Sequence, residues 1–419
     1  MTRYYEDFIE YSERVVEVAY RRGSLEVNMA SSRVYGVRVF SNGVWSIVST
    51  QDEKEVNIKE LKERALKNVK RMLAFKTEGE ELIEVDQFTG NVTVGEESSI
   101  DDLEDLVLKI VNMIGDAEVV VTMSSRSRII HGDWGKASDK IVTYELYVYP
   151  IISYGKLMVT AGVSSAFSGR LKDLTYKHVS SIVDEARERV NAKVQAKKLS
   201  PLSRGRTVVV LDSEVTGGLF HEVSHLLEGD SASGLSRGMR LSTLRLDIYD
   251  DPLFLWSPAY RVFDDEAVRC RRKALVEDGE VHERLHTRLS ASKSAEETPG
   301  NARGLFHKPK AMHSTLVIHP GDWRFKEIIE ETKRGFLIKG LVKAELQNGV
   351  VIIVPEATWS IEKGEVKEPI KIRNVIIPLF TGLTRISAMG RSLKLRHSYE
   401  KGHLVAEVAP EIRTEAYVE

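Results

Sequence analysis

Two histidines four residues apart, His221 and His225, constrain the fold more than any other feature of the sequence, because Glu222 adjoins the first of them. Each residue of an α-helix turns by about 100°, so the two imidazoles lie within about 40° of each other. An apolar stripe lies on the far side of the same helical wheel. It consists of Leu219, Phe220, Val223, Leu226 and Leu227. The pattern predicts a helix over 217–228 that packs on a core and presents both histidines.

The spacing is the one with which a helix holds zinc and a general base together. Two neutral imidazoles and a third protein ligand leave one zinc position open, and the bound water then ionises near neutral pH. Glu222 would take the proton from that water. Glu228, three residues past His225, is a ligand, an orienting carboxylate or a surface charge. The strand-like run 207–211, the Gly217-Gly218 pair as a loop and Gly229 as a helix stop frame the predicted helix.

The segment 217–230, GGLFHEVSHLLEGD, resembles the site helix of the TldD/PmbA family of metallopeptidases. The segment begins with Gly-Gly and ends with Glu-Gly-Asp, as the corresponding segment of that family does. The segment 35–50 is similar to the family's amino-terminal hairpin. Further similar blocks lie at 263–266, 275–279, 285–291, 300–303 and 383–390. The resemblance therefore covers nearly the whole chain and identifies it as a divergent, archaeal-like member on the motif-bearing, TldD side.

The resemblance implies an α+β fold: an amino-terminal α/β domain with an antiparallel sheet and helices, followed by a β-rich carboxy-terminal domain that carries the zinc helix. It also implies cleavage of peptides or small unfolded polypeptides. Dimers are implied as well, either of like chains or with a TldE/PmbA-like subunit that lacks the histidines. A non-catalytic subunit that binds polypeptide and completes a dimer is the alternative function. An unchanged turnover in Glu222→Gln would favour that alternative.

The sequence departs from the family at two positions of the site. Two residues separate Glu222 from His225 here, in the pattern HExxH, whereas the family has three, in the pattern HExxxH. The family's third ligand is a cysteine near the carboxy terminus, and this region contains none. Imidazole is a good zinc ligand and serine a poor one, so we expect His397 to replace it, with His403 or Glu228 as alternatives. The expected site is Zn²⁺ on His221, His225 and His397, with Glu222 as the catalytic base.

Composition excludes several classes of protein. The 419 residues are 42% hydrophobic, which is enough for two or three domains with cores of their own. Sixty basic and 62 acidic residues give a net charge of −2, so we expect neither nucleic acid nor a membrane surface as a partner. The basic run Arg269 to Lys273 is expected to be a solvated strand edge. The single cysteine and the absence of a leader-like or long apolar segment favour the cytoplasm.

Periodicity divides the chain near residue 200, into domains 1–199 and 200–419. In the first part it predicts helices over 4–21, 59–73, 100–114 and 174–196. Strands are predicted around 25–27, 34–40, 44–49, 118–123, 128–131, 141–150 and 157–164. The segment 197–206 is the predicted linker. The second part alternates short strands with glycine turns and has one short helix over 325–333.

Overall fold

The computed structural model describes residues 4–51, 57–75, 79–155, 157–231, 234–294 and 300–419. The fold is α+β and rich in strands, as expected. The α-helices are α1 (Ile58–Leu73), α2 (Ile100–Ile114), α3 (Tyr176–Gln195), α4 (Ser213–Ser224), α5 (Arg288–Ser294), α6 (Phe325–Glu330) and α7 (Leu379–Thr384). The strands before α3 are β1 (Tyr5–Arg21), β2 (Ser24–Ser41), β3 (Val44–Thr50), β4 (Gly90–Val94), β5 (Ala117–Gly132), β6 (Gly135–Tyr154), β7 (Leu157–Thr160) and β8 (Val163–Ser168).

The strands after α3 are shorter on average. They are β9 (Lys197–Lys198), β10 (Gly205–Leu211), β11 (Ile248–Asp250), β12 (Lys273–Glu277), β13 (Glu280–Val281), β14 (Ala302–Arg303), β15 (Lys310–Ala311), β16 (Thr315–Ile318), β17 (Arg334–Gln347), β18 (Val350–Glu362), β19 (Glu365–Lys371), β20 (Val375–Pro378), β21 (Ala388–Met389), β22 (Lys394–Glu400), β23 (His403–Ala409) and β24 (Ile412–Val418).

The amino-terminal sheet runs in the order β3-β2-β1-β5-β6-β4, and β7 and β8 pair with β6. Helices α2 and α3 cover it with buried apolar side chains such as Leu103, Val107 and Val183. Three of the predicted helices are confirmed within two residues at each end, and Asn57, Ser99 and Thr175 cap them. The strands predicted over 34–40 and 44–49 are confirmed as the paired ends of β2 and β3, which form a hairpin.

The predicted helix over 4–21 is wrong, because this segment is the long strand β1. β1 pairs with β2 on one side, from Tyr5 opposite Phe40 to Arg21 opposite Ser24. It pairs with β5 on the other side. The segment's mixed apolar and charged residues fit either periodicity, and pairing on both edges, with the adjacent β2 and the distant β5, decides for the strand.

The carboxy-terminal half contains a closed ring of strands. β17 pairs with β10, β10 with β24, β24 with β20 and β20 with β18, and β18 pairs back with β17. Helix α4 follows β10 directly and packs its predicted stripe into the adjoining core. The expected burial of this stripe is confirmed, with Leu226 only partly buried.

A third sheet, in the order β13-β12-β11-β16-β23-β22, lies on the other side of α4. Its last two strands form a hairpin in which His397 faces Ala406 across the pair and Glu400 faces His403. This hairpin brings residues far along the chain next to the histidine helix.

Two predictions about charged and connecting segments need correction. The basic run is only partly solvated, because Cys270 and Lys273 are buried while Arg269, Arg271 and Arg272 are exposed. Within the predicted linker, β9 pairs with Ile370 and Lys371 of β19. Among the described residues, none of the helices combines the length and apolar character needed to cross a membrane.

Candidate metal centre

Helix α4 starts earlier than the sequence suggested. The carboxylate of Asp212 accepts a hydrogen bond from the backbone N–H of Val215 at 2.8 Å and so caps the helix. The Gly217-Gly218 pair lies inside the helix and not in a loop. A Cβ on Gly217 would lie 3.2 Å from the Cβ of Glu407, and one on Gly218 would collide with Leu341. The two glycines therefore let α4 approach β23 and β17 closely.

The helix ends at Ser224, and a 3₁₀ turn over His225–Leu227 continues it. The rings of His221 and His225 have centroids 5.1 Å apart. Their Nε2 atoms lie 3.6 Å and 3.9 Å from the same carboxylate oxygen, Oε2 of Glu400. One ligand atom from each of these three residues lies within 4.8 Å of the others. The structure thus brings together two of the expected ligands and a carboxylate that the sequence analysis overlooked.

A carboxylate also contacts the other nitrogen of each ring. Nδ1 of His221 lies 2.7 Å from Oε1 of Glu407, and Nδ1 of His225 lies 2.9 Å from Oε1 of Glu228. His313, fully buried, contacts the same Glu407 oxygen through Nε2 at 3.4 Å. Both imidazoles are therefore fixed by a carboxylate at Nδ1, and their Nε2 atoms face Glu400.

The pKa values of three groups in this cluster differ strongly from their usual values. Burial by itself raises the pKa of Glu407, but Arg396 and the hydrogen bonds to His221 and His313 outweigh it and hold the pKa well below its usual range. Contact with His221 lowers the pKa of Glu400 to about 2, against the effect of burial. Burial lowers the pKa of His221, but its contacts with Glu400 and Glu407 reverse this and raise it to about 9. Glu400 therefore stays ionised near neutral pH and offers anionic oxygens to a cation.

The three converging donors fit zinc. Two imidazole nitrogens and one carboxylate oxygen are a known donor set of catalytic zinc sites, in which a fourth position stays open. Ligand atoms at about 2.0–2.2 Å from a tetrahedral ion lie about 3.3–3.6 Å from one another. The observed separations of 3.6 Å and 3.9 Å from Glu400 are close to this range. Small side-chain movements would suffice to close the site around the ion.

His397, the expected third ligand, points the other way. Its Nε2 lies 3.2 Å from the hydroxyl of Tyr147 and 3.6 Å from the carboxylate of Glu145, both on β6. Successive strand residues alternate between the two faces of a sheet. Residues 396, 398 and 400 of β22 face α4, so 397 and 399 face the amino-terminal sheet. His397 and the histidine pair are therefore not brought together.

The other two alternatives lie elsewhere as well. The ring of His403 lies edge-on to the ring of His307, with centroids 6.0 Å apart. Burial lowers the pKa of His403 to about 4. Glu228 contacts the Nδ1 side of His225 and not the Nε2 side. Strand parity is the signal that could have distinguished Glu400 from His397, had the bounds of β22 been known.

Glu222, the expected general base, has one oxygen fixed. Its Oε2 accepts a hydrogen bond from the backbone N–H of Leu346 at 2.8 Å. Asp212 and Glu214 bind the backbone of β17 in the same way, at Gly340 and Leu341. Within the described chain, Oε1 of Glu222 takes part in no hydrogen bond. That oxygen is available to accept a proton.

A second acidic group, at the start of α4, is paired with a buried cation. Glu185, Asp212 and Glu214 also lie close enough to share an ion. The buried guanidinium of Arg189 contacts all three carboxylates. This group is therefore an ion-pair network at the start of the helix and not a metal site.

The comparisons with known proteins agree with the class that this site defines, a metallopeptidase. The sequence profile described as the PmbA/TldA metallopeptidase C-terminal domain matches residues 204–415, just over half of the chain. A metalloprotease of Methanocaldococcus jannaschii is 29% identical over 225 residues, which is 51% of this chain and 50% of that protein. This alignment therefore spans only half the length of that relative.

Other relatives align over most of their length. A metalloprotease of Methanothermobacter thermautotrophicus is 24% identical over 93% of this chain and 90% of its own. A zinc metalloprotease TldD homolog of Saccharolobus solfataricus is 22% identical over 86% of this chain and 83% of its own. The crystal structure of TldE from Thermococcus kodakarensis has the same fold, with a TM-score of 0.76, 18% identity and coverage of 99% of this chain and 96% of its own. The chain belongs to the TldD/PmbA family of metallopeptidases.

Proposed function

We propose that this protein is a zinc-dependent peptidase whose metal is held by His221, His225 and Glu400. The observation that carries the proposal is the convergence of both Nε2 atoms on one oxygen of Glu400. The printed name of the Saccharolobus solfataricus relative supports zinc as the metal. His397, the ligand expected from the sequence, is replaced in this proposal by Glu400, which lies three residues further along β22.

When bound, zinc would polarise the scissile carbonyl and make water nucleophilic near neutral pH. The chain supplies the proton transfers. Glu222 would take a proton from the attacking water and pass it to the leaving amine. Its bond to Leu346 fixes the carboxylate, and its free oxygen carries the proton. The arrangement requires no covalent bond between substrate and protein.

We expect the substrates to be peptides or small unfolded polypeptides, as the family resemblance implies. The fold shared with TldE supports a dimer, either of this chain or with a TldE-like subunit. The non-catalytic subunit that the sequence left open is less well supported, because both histidines and a third donor are present and converge.

Zinc content per chain tests the ligand set. We expect about one zinc in the unaltered protein and none in His221→Ala or Glu400→Ala. His397→Ala is the matched control on the opposite face of β22 and should retain zinc. Zinc lost from His397→Ala and kept in Glu400→Ala would overturn the assignment.

Glu222→Gln tests the base. The amide oxygen of glutamine can still accept the Leu346 N–H, so the fold and the zinc content should not change. Cleavage of a quenched fluorescent peptide should fall by about 10²–10⁴-fold. Turnover that survives this substitution, with zinc bound, would remove Glu222 from the mechanism. Equal and negligible turnover in both proteins would favour the non-catalytic subunit.

A further inference from the structure

Each of the two histidines is held at Nδ1 by a carboxylate from a different part of the chain. Glu228 lies three residues after His225, at the end of the 3₁₀ turn. Glu407 lies on β23 and reaches His221 across the boundary between α4 and the third sheet. The two histidines thus have the same kind of partner, although one partner is local and the other is distant in sequence.

Glu407 is a fully buried anion with a complete set of donors. Its Oε1 contacts His221 at 2.7 Å, the hydroxyl of Ser398 at 3.3 Å and His313 at 3.4 Å. Its Oε2 accepts a hydrogen bond from the guanidinium of Arg396 at 2.6 Å. A buried carboxylate requires such compensation, and here Arg396 and Ser398 of the same hairpin supply part of it while His221 and His313 supply the rest.

The same contacts argue against a second metal ion. His221, His313 and Glu407 lie close enough together to share one. However, 2.7 Å between Nδ1 and Oε1 is the length of a direct hydrogen bond, and a ligated ion would hold these atoms further apart. The charge of Arg396 already balances the carboxylate. The group therefore holds a proton between His221 and Glu407 and not a cation.

We infer that Glu407 and Glu228 are positioning residues, which accept a hydrogen bond from the Nδ1–H of each imidazole and so make Nε2 the nitrogen that binds metal, on the side facing Glu400. This inference rests on the proposed function, since it concerns the same zinc site. A neutral imidazole has one donor and one acceptor nitrogen, so a carboxylate on Nδ1 selects the tautomer that can bind metal through Nε2. The carboxylates also fix the orientation of each ring, because a hydrogen-bonded imidazole does not rotate freely about its side-chain bonds.

Zinc affinity, measured by competition with a chelator, tests the inference without any assay of activity. We expect Glu228→Gln and Glu407→Gln each to weaken zinc binding by about 10- to 100-fold, the usual effect of losing such a partner. Glu145→Gln is the matched control, because Glu145 is also buried and contacts a histidine, His397, outside the site. It should bind zinc as the unaltered chain does.

The melting temperature of the zinc-free proteins separates positioning from a merely structural role. Glu407→Gln leaves Arg396 without its charged partner and is expected to lower this temperature, so Glu228→Gln, whose carboxylate makes only the local contact with His225 described above, is the decisive variant. Zinc bound as tightly by Glu228→Gln as by the unaltered chain would overturn the inference, whatever its melting temperature. If the unaltered chain itself binds no zinc, the proposed function fails and the inference fails with it.

Discussion

Lys273 lies in an environment that a lysine side chain disfavours. Its ammonium group is buried and makes no hydrogen bond within the described chain. Burial lowers the pKa of Lys273 to about 7, although Asp250 partly opposes the shift. The oxygens of Asp250 are bound instead by Asn301 and by backbone N–H groups of Ser314 and Thr315.

This environment predicts a stability that rises with pH. Between about pH 7 and the usual lysine pKa near 10.4, the unfolded chain binds a proton at Lys273 that the folded chain does not. The free energy of unfolding should therefore increase from pH 6 to pH 9, and Lys273→Met should reduce this increase while stabilising the protein at pH 6 by about 1–3 kcal/mol. Urea unfolding at pH 6 and pH 9 measures these free energies. Lys333→Met, at an exposed position, is the control. If the free energy of unfolding rises with pH as steeply in Lys273→Met as in Lys333→Met, the prediction is wrong.

Gly229 shows how one residue can be constrained by a neighbour that the sequence does not reveal. It was expected to stop the site helix, yet that helix has already ended before it. A Cβ at this position would lie 2.1 Å from two atoms of the His286 ring, which is buried. The glycine of the Glu-Gly-Asp segment is required for this close approach and not for its conformational freedom.

We expect Gly229→Ala to lower the free energy of unfolding by about 1–3 kcal/mol, since overpacking displaces a rigid ring or the turn that carries Glu228. Chemical denaturation provides the measurement. In the Gly229→Ala background, His286→Ala should cost less than it does alone, because it removes the collision. Strict additivity of the two changes would show that the ring is not the obstacle.

At the scale of the element, prediction succeeded where the information is local. Helices α1, α2 and α3 have capping residues and amphipathic faces, and their bounds were predicted closely. The strand β1 was missed because its residue pattern fits either periodicity and one of its two partners, β5, lies far along the chain. For the proposed site, the sequence predicted His221 and His225, whose rings the structure places side by side. The sequence did not predict Glu400 and Glu407, because their positions beside these histidines depend on strand parity and on hairpin register, which only long-range pairing determines.

At the scale of the whole molecule, buried ion pairs connect the segments on either side of residue 200. Arg128 of β5 binds Asp139 of β6 and also Asp265, which Arg261 contacts from the same later segment. In the same way Arg38 binds Asp7 and the backbone carbonyl of Gly304. The two halves of the chain are thus joined by charged groups that have no access to water.

Arg128→Met should therefore be severely destabilising, by about 3–5 kcal/mol, because it leaves buried carboxylates without their partner. Arg14→Met, which removes an exposed pair with Glu97, should change the free energy of unfolding by less than about 1 kcal/mol. Urea denaturation compares the two. A small effect at Arg128 would mean that its carboxylates are protonated or hydrated.

The closed ring of strands determines the order in which the site can be completed. β10 leads directly into the histidine helix, yet its partner β24 comes after every other strand of the ring, with Leu211 opposite Ile412. The amino-terminal sheet, by contrast, has all its strands by residue 168. During synthesis the first sheet can form while the ring is still open, because domains fold as their segments emerge. The ring closes only after Glu400 and Glu407 have been synthesised, so the proposed metal site can be completed only late in synthesis.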